Sequence, residues 1–203
     1  MKKSDAKRKA ILETAYRLFR EQGFEKTSMS EITSQVGGSK ATLYSHFASK
    51  EELFAECLTE AIEQYVSGTF SALDTPHDDM ESTLRHFGEN FLQCVCSSEM
   101  IEVRRLLISE AARLGMGLLS FKKIIVLRDK VAAYLGECME AGMLRKENPM
   151  HAADHLKGLL ESEVMEPLLL NTMGELPDDS MRSQAAQRAI SVFLRAYAPE
   201  NKS

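Results

Sequence analysis

The chain has 203 residues, 44% hydrophobic and 27% charged, with a formal net charge of -5. This is the composition of a soluble protein with room for one sizeable core or two small ones. There is no apolar run of the roughly 18 residues needed to span a membrane, and the opening MKKSDAKRKA lacks the apolar stretch of a secretory signal, so a cytoplasmic location without membrane partners is expected. Charge is unevenly spread: residues 1–50 hold ten Lys/Arg against five Asp/Glu, a head of +5, which leaves the remainder at -10. A basic head on an acidic body implies that only one end meets a polyanion. Cys57, Cys94, Cys96 and Cys138 have neither the spacing of a zinc site nor the density of a disulfide scaffold, and reduced, mostly buried thiols are expected.

In chain order, Ile11, Ala15, Leu18 and Phe19 form one apolar stripe at helical spacing, which Gly23 ends. Ser28-Met29-Ser30-Glu31 has the form of a capping box, after which Met29, Ile32 and Val36 face a core and Gly37 stops a helix of about two turns. Ser39 caps a third helix in which Leu43 and Phe47 point inward, while Lys40, Thr42, Tyr44, Ser45 and His46 stay outside. Ser49 to Glu52 is a second capping box, opening a helix with Leu53, Phe54, Cys57, Leu58, Ala61 and Tyr65. Turn formers cluster at 73–79, a loop with room for a short helix. Further helices are expected near 80–97, 99–113, 117–142, 149–166 and 179–197, with Pro167 ending or kinking the penultimate one.

Two short helices joined by Gly37-Gly38-Ser39 make the unit that presents its second helix to a major groove. A groove wide enough for one helix requires small or polar residues on its exposed face, and residues 40–46 satisfy this. Lys40 and His46 can meet phosphates or bases, Thr42 a base edge or thymine methyl, and Tyr44 a phosphate, with Ser39 at the head of the set. A solvated helix face has the same pattern.

The string TSMSEITSQVGGSKATLYSHFASKEELF, from Thr27 to Phe54, resembles the N-terminal domain of the TetR family of transcriptional regulators. The matching positions are Phe19, Gly23, Phe24, Thr27, Ile32, Gly37, Ser39, Leu43, Tyr44, Phe47, Lys50, Glu51 and Leu53. The resemblance implies that Thr27, Lys40, Tyr44, His46 and Lys50 lie near DNA, with Thr27 and Tyr44 as phosphate anchors. Thr33 and Val36 depart from the family's frequent alanine and Ala41 from its frequent glycine or proline. Gly38 replaces a usual apolar residue and predicts a looser turn. Residues around 99–113 are similar to the C-terminal domain of AefR-like members.

Within the body, Val103, Leu106, Leu107, Ala111 and Leu114 form a stripe that includes Glu110, a carboxylate that needs either a structural arginine (Arg104, Arg105 or Arg128) or a ligand. Nine of the eleven methionines lie beyond residue 79, where they can fill a core or line an adaptable pocket. Phe87, Phe91, Met100, Glu110, Met116, Phe121 and Met139 are the candidate ligand residues. His151 and His155 share a helix face, but two ligands are too few for a metal site, even with His77, His86 or Cys138 in view. No glycine-rich phosphate loop, nucleophile elbow or metalloprotease helix occurs, so neither an enzyme nor a cofactor is expected.

Broad apolar faces near 149–166 and 179–197 leave a surplus stripe for a partner copy, with Leu156, Leu160, Val164, Ile190, Phe193, Leu194 and Tyr197 as the interface and Gly158 allowing close approach. The sequence therefore predicts an all-α chain. A three-helix DNA-binding domain (1–50) precedes a larger helical effector-binding and dimerisation domain (51–203). The expected activity is repression from a palindromic double-stranded operator by a homodimer that a small molecule releases. A helical interaction module with weakened DNA binding is the alternative.

Overall fold

The computed structural model describes the backbone of residues 3–66, 69–74, 79–114 and 117–199, and the side chains of 5–61, 69–70, 72–74, 79–109 and 128–199. Among these residues every regular element is a helix. In order they are α1 (Lys3–Lys26), α2 (Met29–Val36), α3 (Lys40–His46), α4 (Lys50–Val66), α5 (Ser71–Asp74), α6 (Met80–Val95), α7 (Ser98–Leu114), α8 (Gly117–Glu140), α9 (Pro149–Glu161), α10 (Met165–Leu169) and α11 (Asp179–Ala196). No described helix is long and apolar enough to cross a membrane.

Helix starts follow side-chain oxygens that satisfy orphan amides of the first turn. Ser28 Oγ accepts from the Glu31 amide at 3.1 Å, Ser39 Oγ from Thr42 at 3.1 Å and Ser49 Oγ from Glu52 at 3.0 Å. Asp79, Asn148 and Asp178 cap α6, α9 and α11 in the same way, with Pro149 at the start of α9 where a missing N–H costs nothing. The reciprocal halves of the two boxes differ from expectation. Glu31 accepts from the Gln22 side chain at 2.8 Å, and Glu52 accepts from the Ala48 amide at 2.6 Å.

Residues 1–64 with 102–122 form one compact unit, and residues 65–101 with 123–203 another, a division different from the one expected at residue 50. The reason lies in α4, whose Leu53, Phe54 and Leu58 are buried. The Phe54 ring stands 5.0 Å from both Phe19 and Phe24, so the first unit's aromatic core is incomplete without this helix. Removing such a buried ring costs about 3–5 kcal/mol, so residues 1–50 alone lack a large part of what holds them folded.

In the second unit one core draws Leu84, Phe87 and Leu92 from α6, Leu135 from α8, Leu156 and Leu160 from α9, and Ile190 and Phe193 from α11. Gly88 makes the close approach possible, since a Cβ there would lie 3.0 Å from Leu160 Cδ2 and 3.4 Å from Ala186 Cβ. The expected helix over 149–166 is two helices: α9 stops at Glu161 and α10 restarts at Met165. Pro167 thus falls in the first turn of α10, where its missing donor has no partner to lose, and the break precedes it instead of following from it.

Candidate nucleic-acid interface

Helix α3 is anchored from within by Leu43 and by its cap Phe47, both almost wholly buried. This orientation leaves Lys40 and Ser45 exposed, Tyr44 51% exposed, and Thr42 and His46 half-exposed. Ser39 Oγ holds the Thr42 amide and lies 3.0 Å from Thr42 Oγ1, so the two hydroxyls form one polar corner at the start of the helix. The His46 ring sits 6.4 Å from that of Phe47. Lys40 and Tyr44 therefore share one flank of α3 and Thr42 and His46 the other, a cation and a phenol on one side and a hydroxyl and an imidazole on the other, each able to meet a phosphate or base edge.

Thr27 and Lys50 are turned inward. Thr27 is 1% exposed, and its hydroxyl donates to the Gly23 carbonyl at 2.8 Å, so it cannot serve as a phosphate anchor in this conformation. Lys50 Nζ donates to the carbonyls of Phe24 and Thr27 at 2.9 and 3.0 Å and lies 4.1 Å from the centre of the Phe24 ring. The ammonium ties the α1–α2 connection to α4, since carbonyls at a helix end and an aromatic face both attract a cation.

Sequence reasoning missed the part α1 plays. Lys7 Nζ donates to Val36 O at 3.1 Å and to Gly37 O, Arg17 hydrogen-bonds Gln35, and Gln22 bonds Glu31. These partners are too far apart in sequence for any spacing rule to find. Gly37 (φ +74°) and Gly38 (φ +108°) both adopt left-handed φ, and a Cβ on Gly38 would face Lys7 Nζ at 3.6 Å. The looseness expected at Gly38 is thus met by the Lys7 side chain, which occupies the region beside the turn.

Of the candidate ligand residues, Phe87 and Met139 are buried in the second unit's core, and Phe91 is packed against it. Phe87 stands 5.6 Å from Phe70 and 6.0 Å from Phe91. Met100 is half-exposed on α7. Met116 and His77 lie outside the described residues, as do the side chains of Glu110 and Phe121. Arg128, one expected partner of Glu110, pairs with Asp154 at 3.5 Å.

Leu156, Leu160, Ile190 and Phe193 are at most 1% exposed within one chain, and Val164 and Tyr197 are also buried, with Leu194 partly so. All but Leu194 face the chain's own core and offer no surplus to a partner, which corrects the expectation for those six. What α9 leaves outside is His151, Asp154, His155, Lys157 and Gly158. On α11 the outward stripe is Met181, Gln184, Gln187, Arg188, Ser191, Val192 and Arg195. Tyr197 Oη lies 2.6 Å from His155 Nδ1, so one of the two paired histidines has a partner on the chain itself. All four cysteines are buried thiols outside any disulfide, and burial pushes the Cys57 and Cys138 thiols above the usual thiol range.

A family model of the C-terminal domain of AefR-like transcriptional repressors matches residues 82–199, and that of the tetR family of bacterial regulatory proteins matches residues 11–57. The HTH-type transcriptional activator FasR of Mycolicibacterium smegmatis is 36% identical over 77 residues, which are 38% of this chain and 35% of that protein. The HTH-type transcriptional repressor ComR of Escherichia coli is 29% identical over 92 residues, 45% of this chain and 44% of its own. The matches thus span less than half the length of these relatives. Among solved structures, a protein of Mesorhizobium loti MAFF303099 assigned to the TetR-family transcriptional regulators aligns with a TM-score of 0.87 at 26% identity. The alignment covers 98% of this chain and 100% of that one. The flavonoid-responsive regulator FrrA aligns with a TM-score of 0.81 at 27% identity, covering 97% and 99%. With its N-terminal and C-terminal parts both matched, the chain belongs to the TetR family of bacterial transcriptional regulators, in its AefR-like branch.

Proposed function

We propose that this regulator is a repressor that binds a palindromic double-stranded operator as a homodimer and leaves it when a small molecule occupies the second unit. The observation that carries the reading is the face of α3, where Lys40, Thr42, Tyr44 and His46 project outward from a helix fixed by buried Leu43 and Phe47. Ser39 supports Thr42, while Thr27 and Lys50 act behind this surface instead of on it. The AefR-like repressor model across 82–199 supports repression, and the likeness to a flavonoid-responsive regulator supports a small-molecule effector. Phe87, Phe91, Met100 and Met139, all in the second unit, are the proposed lining of its site.

Dimerisation is assigned to the outward stripes of α9 and α11, where Gly158 has open space around its Cα. A neighbouring helix backbone can come close there, as in four-helix interfaces between symmetry mates. Sedimentation at micromolar concentration together with retardation of genomic fragments tests the reading. The expected result is a species of twice 22.7 kDa that retards selected fragments, and Gly158→Arg should yield the 22.7 kDa species without retardation. A monomeric wild type, or no retained fragment at low salt, would contradict it.

A further inference from the structure

The turn between α2 and α3 decides the angle at which the exposed face of α3 is offered, and its two glycines cannot hold that angle by side-chain packing. The C-terminal carbonyls of α2 carry partial negative charge and need donors. One comes from the turn itself, the Gly37 amide reaching Thr33 O at 2.9 Å. Lys7 adds two more, its ammonium donating to Val36 O at the end of α2 and to Gly37 O in the turn, and it lies beside the position a Gly38 Cβ would take. The next residue reaches the other end of α3: the Arg8 guanidinium stands 5.0 Å over the ring of Phe47, the C-cap, and is ion-paired with Glu56. Consecutive residues of α1 therefore hold the turn that leads into this seven-residue helix and the cap that ends it.

We propose that Lys7 is a positioning residue for the reading helix, clamping the Gly37-Gly38 turn by its ammonium in place of the side chain that position 38 lacks, with Arg8 steadying the far end. This rests on the reading of α3 as the DNA-reading helix. It assigns Lys7 to specificity instead of to the phosphate backbone, because two of its three donors are spent on carbonyls.

The test uses the full chain and a duplex of about 30 bp recovered by wild-type protein from a randomised pool, with a scrambled duplex of the same composition beside it. Lys7→Met should weaken binding to the selected duplex about tenfold and to the scrambled one by no more than about twofold. The slope of log affinity against log salt should stay unchanged. Lys7→Arg, which keeps a cationic donor, should recover most of the loss. Amide exchange at Gly37, Thr42 and Leu43, whose N–H groups are bonded around this turn, should accelerate in Lys7→Met while α9 amides keep their protection, a local effect that general destabilisation would not produce. If Lys7→Met does not fold, the same comparison is made with Lys7→Gln, which keeps a neutral donor. Equal losses on both duplexes with a slope lower by about 0.9 per subunit would make Lys7 a phosphate contact and overturn the proposal. Unchanged affinities and exchange would do the same. Failure of wild type to retain any duplex would instead remove the reading of α3 on which the proposal stands.

Discussion

Replacing Gly37 and Gly136 each by alanine should shift stability in opposite directions, although the chemical change is the same. Gly37 has φ +74° and ψ 152°, a region that L residues rarely enter, and nothing lies within 4 Å of the Cβ it would gain. The penalty is therefore purely conformational, of order 1–3 kcal/mol, reduced by the smaller chain entropy alanine loses on folding, and a net loss of about 1–2 kcal/mol is expected. Gly136 lies inside α8, where an added Cβ would make an ordinary contact with Pro149 Cγ at 3.5 Å. Alanine there should gain about 0.5–1 kcal/mol, because helical backbone suits it and the unfolded chain is restrained. Urea unfolding at one fixed protein concentration measures both, since association would otherwise move the midpoint. Gly37→Ala should also lose affinity for a selected duplex if the turn relaxes by moving α3. Shifts of the same sign, or a neutral Gly37→Ala with full DNA binding, would refute the argument from backbone conformation.

Lys50→Met should lower stability by about 2 kcal/mol, through loss of two charge-assisted hydrogen bonds and a cation–π contact, while leaving the salt slope of DNA binding intact. A reduced slope would return Lys50 to the phosphate backbone. In acid, the Ser82 amide and hydroxyl hold the Asp79 carboxyl below its ordinary range, and the hydrogen-bonded Arg188 does the same for Glu163. Both contributions are present above the ordinary carboxylate range and are lost as pH falls through the depressed values, so Asp79→Asn and Glu163→Gln should each flatten the fall in Tm below about pH 5. Cys57 and Cys138 should resist maleimide at neutral pH in the native chain and label readily in urea. Rapid native labelling would contradict their burial.

The first helix starts and their caps were legible because Ser28, Ser39 and Ser49 sit one turn ahead of the amides they accept, a purely local relation. The outward residues of α3 were legible for the same reason, since Leu43 and Phe47 alone fix which face is buried. Thr27 and Lys50 were misread because a hydroxyl or ammonium looks the same in sequence whether it meets a phosphate or a carbonyl, and only the fold brings Gly23, Phe24 and Thr27 to them. Head charge misleads in the same way. Arg8, Arg17 and Arg20 pair with Glu56, Glu21 and Glu102, so the +5 counted over residues 1–50 overstates the cations offered to a polyanion. The apolar excess of α9 and α11 was real, but four helices converge on one core in the second unit and absorb it.

The most direct test of the central claim is selection of a randomised duplex pool by the full chain, followed by sequencing of what is retained. A dimer presenting two copies of α3 predicts an inverted repeat with half-sites about 34–36 Å apart, one helical turn, or a multiple of it. Variants Lys40→Ala and Thr42→Ala should alter preferred bases within each half-site by about 1–3 kcal/mol, and Tyr44→Phe should weaken all sequences alike. A pool that remains random, or a single half-site without its inverted mate, would contradict the account.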